Sequence, residues 1–84
     1  MLTVLYFARL REQIGKAEEQ INLPDTVATL ADLIDWLSAQ GPAYRQAFAE
    51  LTQIRAAINE QAATLDAPVK DGDEVAFFPP MTGG

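Results

Sequence analysis

The groups in this chain that could do chemistry gather at its C-terminal end. Val75-Ala76-Phe77-Phe78-Pro79-Pro80-Met81-Thr82-Gly83-Gly84 runs from a strand-like apolar segment through two prolines to a bare diglycine. No side chain in this run is charged, so its expected ionised group is the Gly84 carboxylate. With no side chain within two residues, that carboxylate suits a terminus threaded into another protein's active site and modified there. A frayed end of no significance has the same composition. An α-carboxylate has a pKa of about 3.3–3.7, so near neutrality it is an anion that resists nucleophiles and needs activation. Elsewhere the choice is narrow. Cysteine and histidine are both absent, which excludes a disulfide framework, a thiolate metal site, a cysteine nucleophile and the commonest general base. An independent enzyme is disfavoured on those grounds, and no metal site is expected.

The elements that must position the tail belong to one small domain. Eighty-four residues are too few to divide, and an apolar fraction of 49% supplies one modest core. Twelve acidic residues against six basic ones give a net charge of −6. That balance repels phosphate backbones, which disfavours nucleic acid, and it fits solubility or an electropositive protein partner. There is neither a basic segment leading into a long apolar run nor a stretch of about 18 apolar residues. No signal peptide and no membrane span are expected, and a cytoplasmic location follows.

In chain order, Leu2 to Phe7 reads as a strand with Leu2, Val4 and Tyr6 inward and Thr3, Leu5 and Phe7 outward. Ala8 to Ile14 reads as two turns of helix closed by Gly15. Arg9, Arg11 and Lys16 concentrate cations there, as a solvated turn or as a small basic edge. Ala17 to Leu23 resumes a weaker strand whose charges suit a sheet edge. Thr26 is the expected N-cap of a long helix with an apolar stripe of Val27, Leu30, Ala31, Ile34 and Leu37, ended by Gly41-Pro42. Trp36 lies about 120° from Leu30 around that helix, as a lid over the core edge. Tyr44, Ala47, Phe48 and Leu51 predict a second, short helix over 43–51. Gln53 to Asn59 alternates with Ile54, Ala56 and Ile58 inward. Ala62 to Asp66 is a poor strand, Gly72 sits in a turn that needs positive φ, and Glu74 to Phe78 is the last strand.

One long helix over a mixed sheet is the arrangement that lets each bury its single apolar face. The expected class is α+β, a β-grasp (ubiquitin-like) fold. It has a mixed five-stranded sheet, one long helix packed on one face and short helical turns. Residues 1–80 form the domain and 81–84 a flexible tail. First and last strands should pair in parallel, so that Leu5, Phe7 and Phe78 project from the uncovered face beside the tail exit. An apolar patch of that kind marks a protein interface.

Several stretches carry a specific resemblance. Val4-Leu5-Tyr6-Phe7-Ala8 with Arg11-Glu12 and Gly15, Ala57-Ile58-Asn59, and Asp71 through Pro80 followed by Thr82-Gly83-Gly84 span the domain. In these the chain resembles the molybdopterin synthase small-subunit family, the sulfur carriers of molybdenum-cofactor biosynthesis. The FFPP-x-x-GG ending is the specific part. The resemblance implies that an adenylating enzyme activates Gly84 with ATP and that a sulfurtransferase supplies sulfur to make a thiocarboxylate. Pro80, Met81, Thr82 and Gly83 then thread into the large catalytic subunit, where sulfur passes to cyclic pyranopterin monophosphate. It also implies a complex of two small and two large subunits, with the large subunit supplying the catalytic residues. No cofactor is held permanently. Leu5, Phe7, Arg11 and Phe78 are the candidate partner contacts; Arg11 and Lys70 are equally ordinary solvated cations. Met81 stands where the family usually has a small apolar residue. A carrier for thiamine-type sulfur chemistry, and a ubiquitin-like modifier or interaction domain, are the competing readings.

Overall fold

The computed structural model describes residues 1–80. Its elements are β1 (Leu2–Tyr6), α1 (Ala8–Ile14), β2 (Glu18–Ile21), α2 (Leu30–Ser38), α3 (Pro42–Ala47), a 3-10 turn (Leu51–Gln53), β3 (Arg55–Ile58), β4 (Gln61–Ala63) and β5 (Glu74–Phe78). The five strands form one sheet in the order β2-β1-β5-β3-β4. β1 and β5 run parallel at its centre, and the other pairs are antiparallel. This is the expected β-grasp arrangement.

The inward positions of β1 and β5 are closed to solvent: Leu2, Val4, Tyr6, Val75 and Phe77 are all buried. Leu10 of α1, four residues of α2, and Ala47 with Phe48 around the end of α3 cover them from one side. Phe77 is the centre of that core. It stacks on Tyr6 with ring centroids 6.4 Å apart and takes the edge of Phe48 at 5.0 Å. Trp36 packs against the core margin from the flank of α2, as its position on the helical wheel implies.

Two expected boundaries move. The long helix begins not after Thr26 but after Thr29, and the stretch from Pro24 to Val27 is a turn closed by Val27 N–H donating to Pro24 O. Thr29 and Asp32 make a reciprocal capping box, Thr29 Oγ1 accepting from Asp32 N–H and Asp32 Oδ2 from Thr29 N–H, both at 3.2 Å. Leu30 and Ala31 N–H donate to Ala67 O and Leu65 O across the molecule. All four donors that a helix start leaves without partners are thereby satisfied. The buried stripe is Leu30, Leu33, Ile34 and Leu37, so Leu33 replaces Ala31 in it.

The helix expected over 43–51 also ends early. Pro42 opens α3 at its first position and α3 stops at Ala47; Leu51 then lies in a separate 3-10 turn and is 43% exposed rather than packed. Gly41-Pro42 therefore starts α3, while α2 has already closed at Ala39.

The tight connections follow local chemistry. Gly15 (φ +84°) and Gly72 (φ +91°) occupy the left-handed region as expected. Asn59 and Glu60 both have positive φ, the mark of a type I′ hairpin turn joining β3 to β4.

Candidate functional site

β5 delivers the chain to the point where it leaves the sheet. Because β1 and β5 are parallel, Phe7 and Phe78 arrive at the same end, and Phe7 N–H still donates to Phe77 O at 3.1 Å. Pro79 and Pro80 follow, half-buried, and neither can donate to a ladder, so the strand must stop there. Met81, Thr82, Gly83 and Gly84, the residues assigned to threading and modification, lie outside the described residues.

The sheet face turned away from the helices carries the expected apolar patch. Register places Leu5 opposite Ala76, Ala76 opposite Ala57, and Ala57 opposite Ala62, one apolar row across four strands. Phe78 stands one step beyond that row, opposite Arg55, and Phe7 terminates β1 beside it, 48% exposed. Leu5 and Phe78 are half-buried. The structure thus brings Leu5, Phe7 and Phe78 together at the tail exit. Arg11 is exposed on α1, next to a shallow depression that it lines with Glu12 and Lys16. Lys70 lies in the turn before β5, at the opposite end of the sheet from the tail exit.

Polar residues border the patch. Gln20 donates to Thr3 Oγ1 at 2.8 Å across the β1–β2 pair, and Glu74 holds the end remote from the tail. Asp73, buried just before β5, accepts from Asn59 Nδ2 at 2.9 Å and from Lys70 N–H at 3.0 Å. Asn59 Oδ1 in turn accepts from Glu74 N–H. That lattice ties the β3–β4 turn to β5 and fixes the strand that carries the tail.

On the covered face, the edge strand β2 points a carboxylate inward. Glu19 Oε2 accepts from Tyr6 Oη at 2.6 Å and from Tyr44 Oη at 2.9 Å, while Lys16 Nζ approaches Glu19 Oε1 at 3.3 Å. Burial works against the Glu19 charge, but the two hydroxyls and the Lys16 ammonium outweigh it and hold its pKa below the ordinary value. Burial, and then the bonded carboxylate, push the Tyr6 phenol far above its usual range. This network ties β2 to β1 and α3 and so anchors the strand that leads to Phe7. Alternation along 17–23 puts Glu19 on the same side as Ile21; its tyrosine partners, remote in sequence, gave no signal.

Alternation puts Arg55 and Ala57 outward and Ala76 on the face of Phe78, but which of them lie side by side, Arg55 against Phe78 and the alanines in one row, is set by strand register and gave no local signal. A second apolar depression lies on the helix side, between α2 and β3–β4, lined by Leu30, Ile34, Leu51, Ile54, Ala63 and Leu65. Among the described residues, no group of three or more acidic side chains is placed to hold a metal ion, and no helix is long and apolar enough to cross a membrane. What surrounds the tail exit is aromatic, aliphatic and cationic.

Known proteins with this sequence and shape are consistent in kind. The chain is 43% identical to the molybdopterin synthase sulfur carrier subunit of Haemophilus influenzae and 38% identical to that of Escherichia coli, in both cases over 100% of each chain. SAMP1 from Haloferax volcanii superposes with a TM-score of 0.75 at 28% identity, covering 99% of this chain and 98% of that one. The Helicobacter pylori chain solved in a complex of subunits 1 and 2 of molybdopterin-converting factor shares the fold, with a TM-score of 0.66 at 21% identity over 99% and 97% of the two chains. The ThiS family model matches residues 4–84, and this chain belongs to the ThiS family.

Proposed function

We propose that the chain is the sulfur-carrier subunit of a molybdopterin synthase, serving molybdenum-cofactor biosynthesis. The observation that carries this reading is the FFPP-x-x-GG ending on the last residues of β5, beside the apolar row of the uncovered face. Full-length identity to carriers of that name supports it.

In this reading the Gly84 carboxylate attacks the α-phosphate of ATP in an adenylating enzyme, giving an acyl adenylate and releasing pyrophosphate. A sulfurtransferase supplies sulfur that displaces AMP, leaving a thiocarboxylate. ATP belongs to the activating enzyme, and the carrier keeps no cofactor of its own. A thioacid is more acidic than a carboxylic acid, so the sulfur reaches its acceptor as an anionic nucleophile. Four residues beyond Pro80 span at most about 14 Å, enough to carry Gly84 into a partner while the domain stays outside. Gly83 and Gly84 have no Cβ to obstruct a narrow channel. Leu5, Phe7 and Phe78 dock against the large subunit, which supplies the catalytic residues, in a complex of two carriers and two large subunits. The carrier itself is non-catalytic and works in the cytoplasm.

Reconstitution tests this. Thiocarboxylated protein mixed with the large synthase subunit should convert cyclic pyranopterin monophosphate to the dithiolene product, and a variant lacking Gly84 should fold normally yet transfer nothing. Retained transfer by the truncated chain would refute the assigned site.

A further inference from the structure

The tail exit is cationic in a protein that is otherwise strongly acidic. β5 leaves the sheet between β1 and β3, and two arginines reach the segment 52–54 that leads into β3 at that end. Arg9 lies just after β1, on α1, and its Nη2 donates to Gln53 O at 3.4 Å, joining the segments that flank β5. Arg55 opens β3, faces Phe78 across the ladder, and donates through Nη1 to Ile54 O at 3.2 Å and to Thr52 O at 3.4 Å.

Both side chains are exposed, and among the described residues neither has a carboxylate within ion-pair distance: the two ion pairs there are Met1–Asp71 and Lys16–Glu19. Holding a guanidinium on backbone carbonyls fixes its position and uses only part of its five donors. In a chain of net charge −6, these two arginines set a local positive field at the end of β5, although Glu50 lines the same depression as Arg9 and Asp66 the same depression as Arg55, both beyond ion-pair distance. Such a field orients an approaching surface rather than adding much to affinity.

We propose that Arg9 and Arg55 form a cationic collar at the root of the tail that recognises carboxylates rimming the channel through which the large subunit takes the tail. The inference rests on the carrier reading above. It adds the chemistry of the partner surface: acidic at the channel mouth, and aligned so that the tail is aimed before the apolar patch closes. Lys70 provides the control, because it lies at the far end of the sheet and its loss removes one positive charge, as each single arginine substitution does.

The test is the association rate of the intact chain with the large synthase subunit of the same organism, measured by stopped flow at low and at high salt. Arg9→Gln/Arg55→Gln should associate roughly three- to ten-fold more slowly than wild type at low salt, with a flatter salt dependence. Its dissociation rate and melting temperature should be nearly unchanged, and Lys70→Gln should behave as wild type. Equal rates for the double variant and Lys70→Gln would overturn the collar, as would faster association of the double variant. So would slowed adenylation with normal association, which would assign the arginines to the activating enzyme. Failure of the wild-type chain to bind the large subunit would instead overturn the carrier reading itself.

Discussion

Neighbouring phenylalanines on β5 should separate folding from docking. Phe77 is wholly buried between Tyr6 and Phe48, so Phe77→Ala removes an aromatic ring from the centre of the core, a loss of about 3–5 kcal/mol. A domain of this size has roughly 4–12 kcal/mol of stability in total. At about 4–8 °C per kcal/mol, the melting temperature should fall by at least ~12 °C. Phe78 points to the other face, half-buried against Arg55 and the apolar row. Its truncation should cost about 1 kcal/mol of stability, or ~4–8 °C. If Phe78 anchors the docking patch, the same change should weaken binding to the large subunit by at least about 2 kcal/mol, near 30-fold. Thermal denaturation followed by circular dichroism gives the first quantity and titration calorimetry the second. The reasoning is refuted if Phe78→Ala melts with Phe77→Ala, or if it binds as tightly as wild type.

Other expectations concern the frame that holds the tail. Glu19 has its pKa held below 4.5 in the fold, so its contribution is present above that value and is lost as pH falls through the lowered one. Glu19→Gln should therefore be less stable than wild type near neutrality, and the gap should narrow in acid melts taken below pH 4.5. Thr29→Ala removes the N-cap of α2 and should cost about 1 kcal/mol, seen as a fall of ~4–8 °C. Glu60→Gly should raise the melting temperature, because Glu60 sits at φ +70° in the β3–β4 turn, where a side chain costs about 1 kcal/mol. A lower melting temperature in that variant would mean that the Glu60 side chain makes a stabilising contact.

The parts of the fold that were legible in the sequence are those whose period and punctuation agree. β1 alternates without a turn residue, α1 ends on a glycine with positive φ, and β5 follows a turn that needs Gly72. The start of α2 was misplaced because Val27 falls on helical spacing with Leu30 and Leu37, yet it is buried by a turn instead. The pair Thr29 and Asp32, at capping-box spacing, was the available signal, and starting there moves the stripe onto Leu33. α3 was drawn too long because Leu51 continues its period, although the chain turns after Phe48. The outer patch was readable as Leu5, Phe7 and Phe78, since alternation fixes their side once β1 and β5 pair. Its alanine floor, Arg55 and the Tyr6–Glu19–Tyr44 bonds depend on strand register and on contacts distant in sequence. No local pattern encodes those.

The central claim is that Gly84 carries sulfur, and intact mass measures it. After incubation with the adenylating enzyme, ATP and a sulfur source, the chain should gain about 16 Da, oxygen exchanged for sulfur, within the peptide that ends at Gly84. An unchanged mass, or a chain joined to a lysine of another protein with no thiocarboxylate formed, would contradict the account.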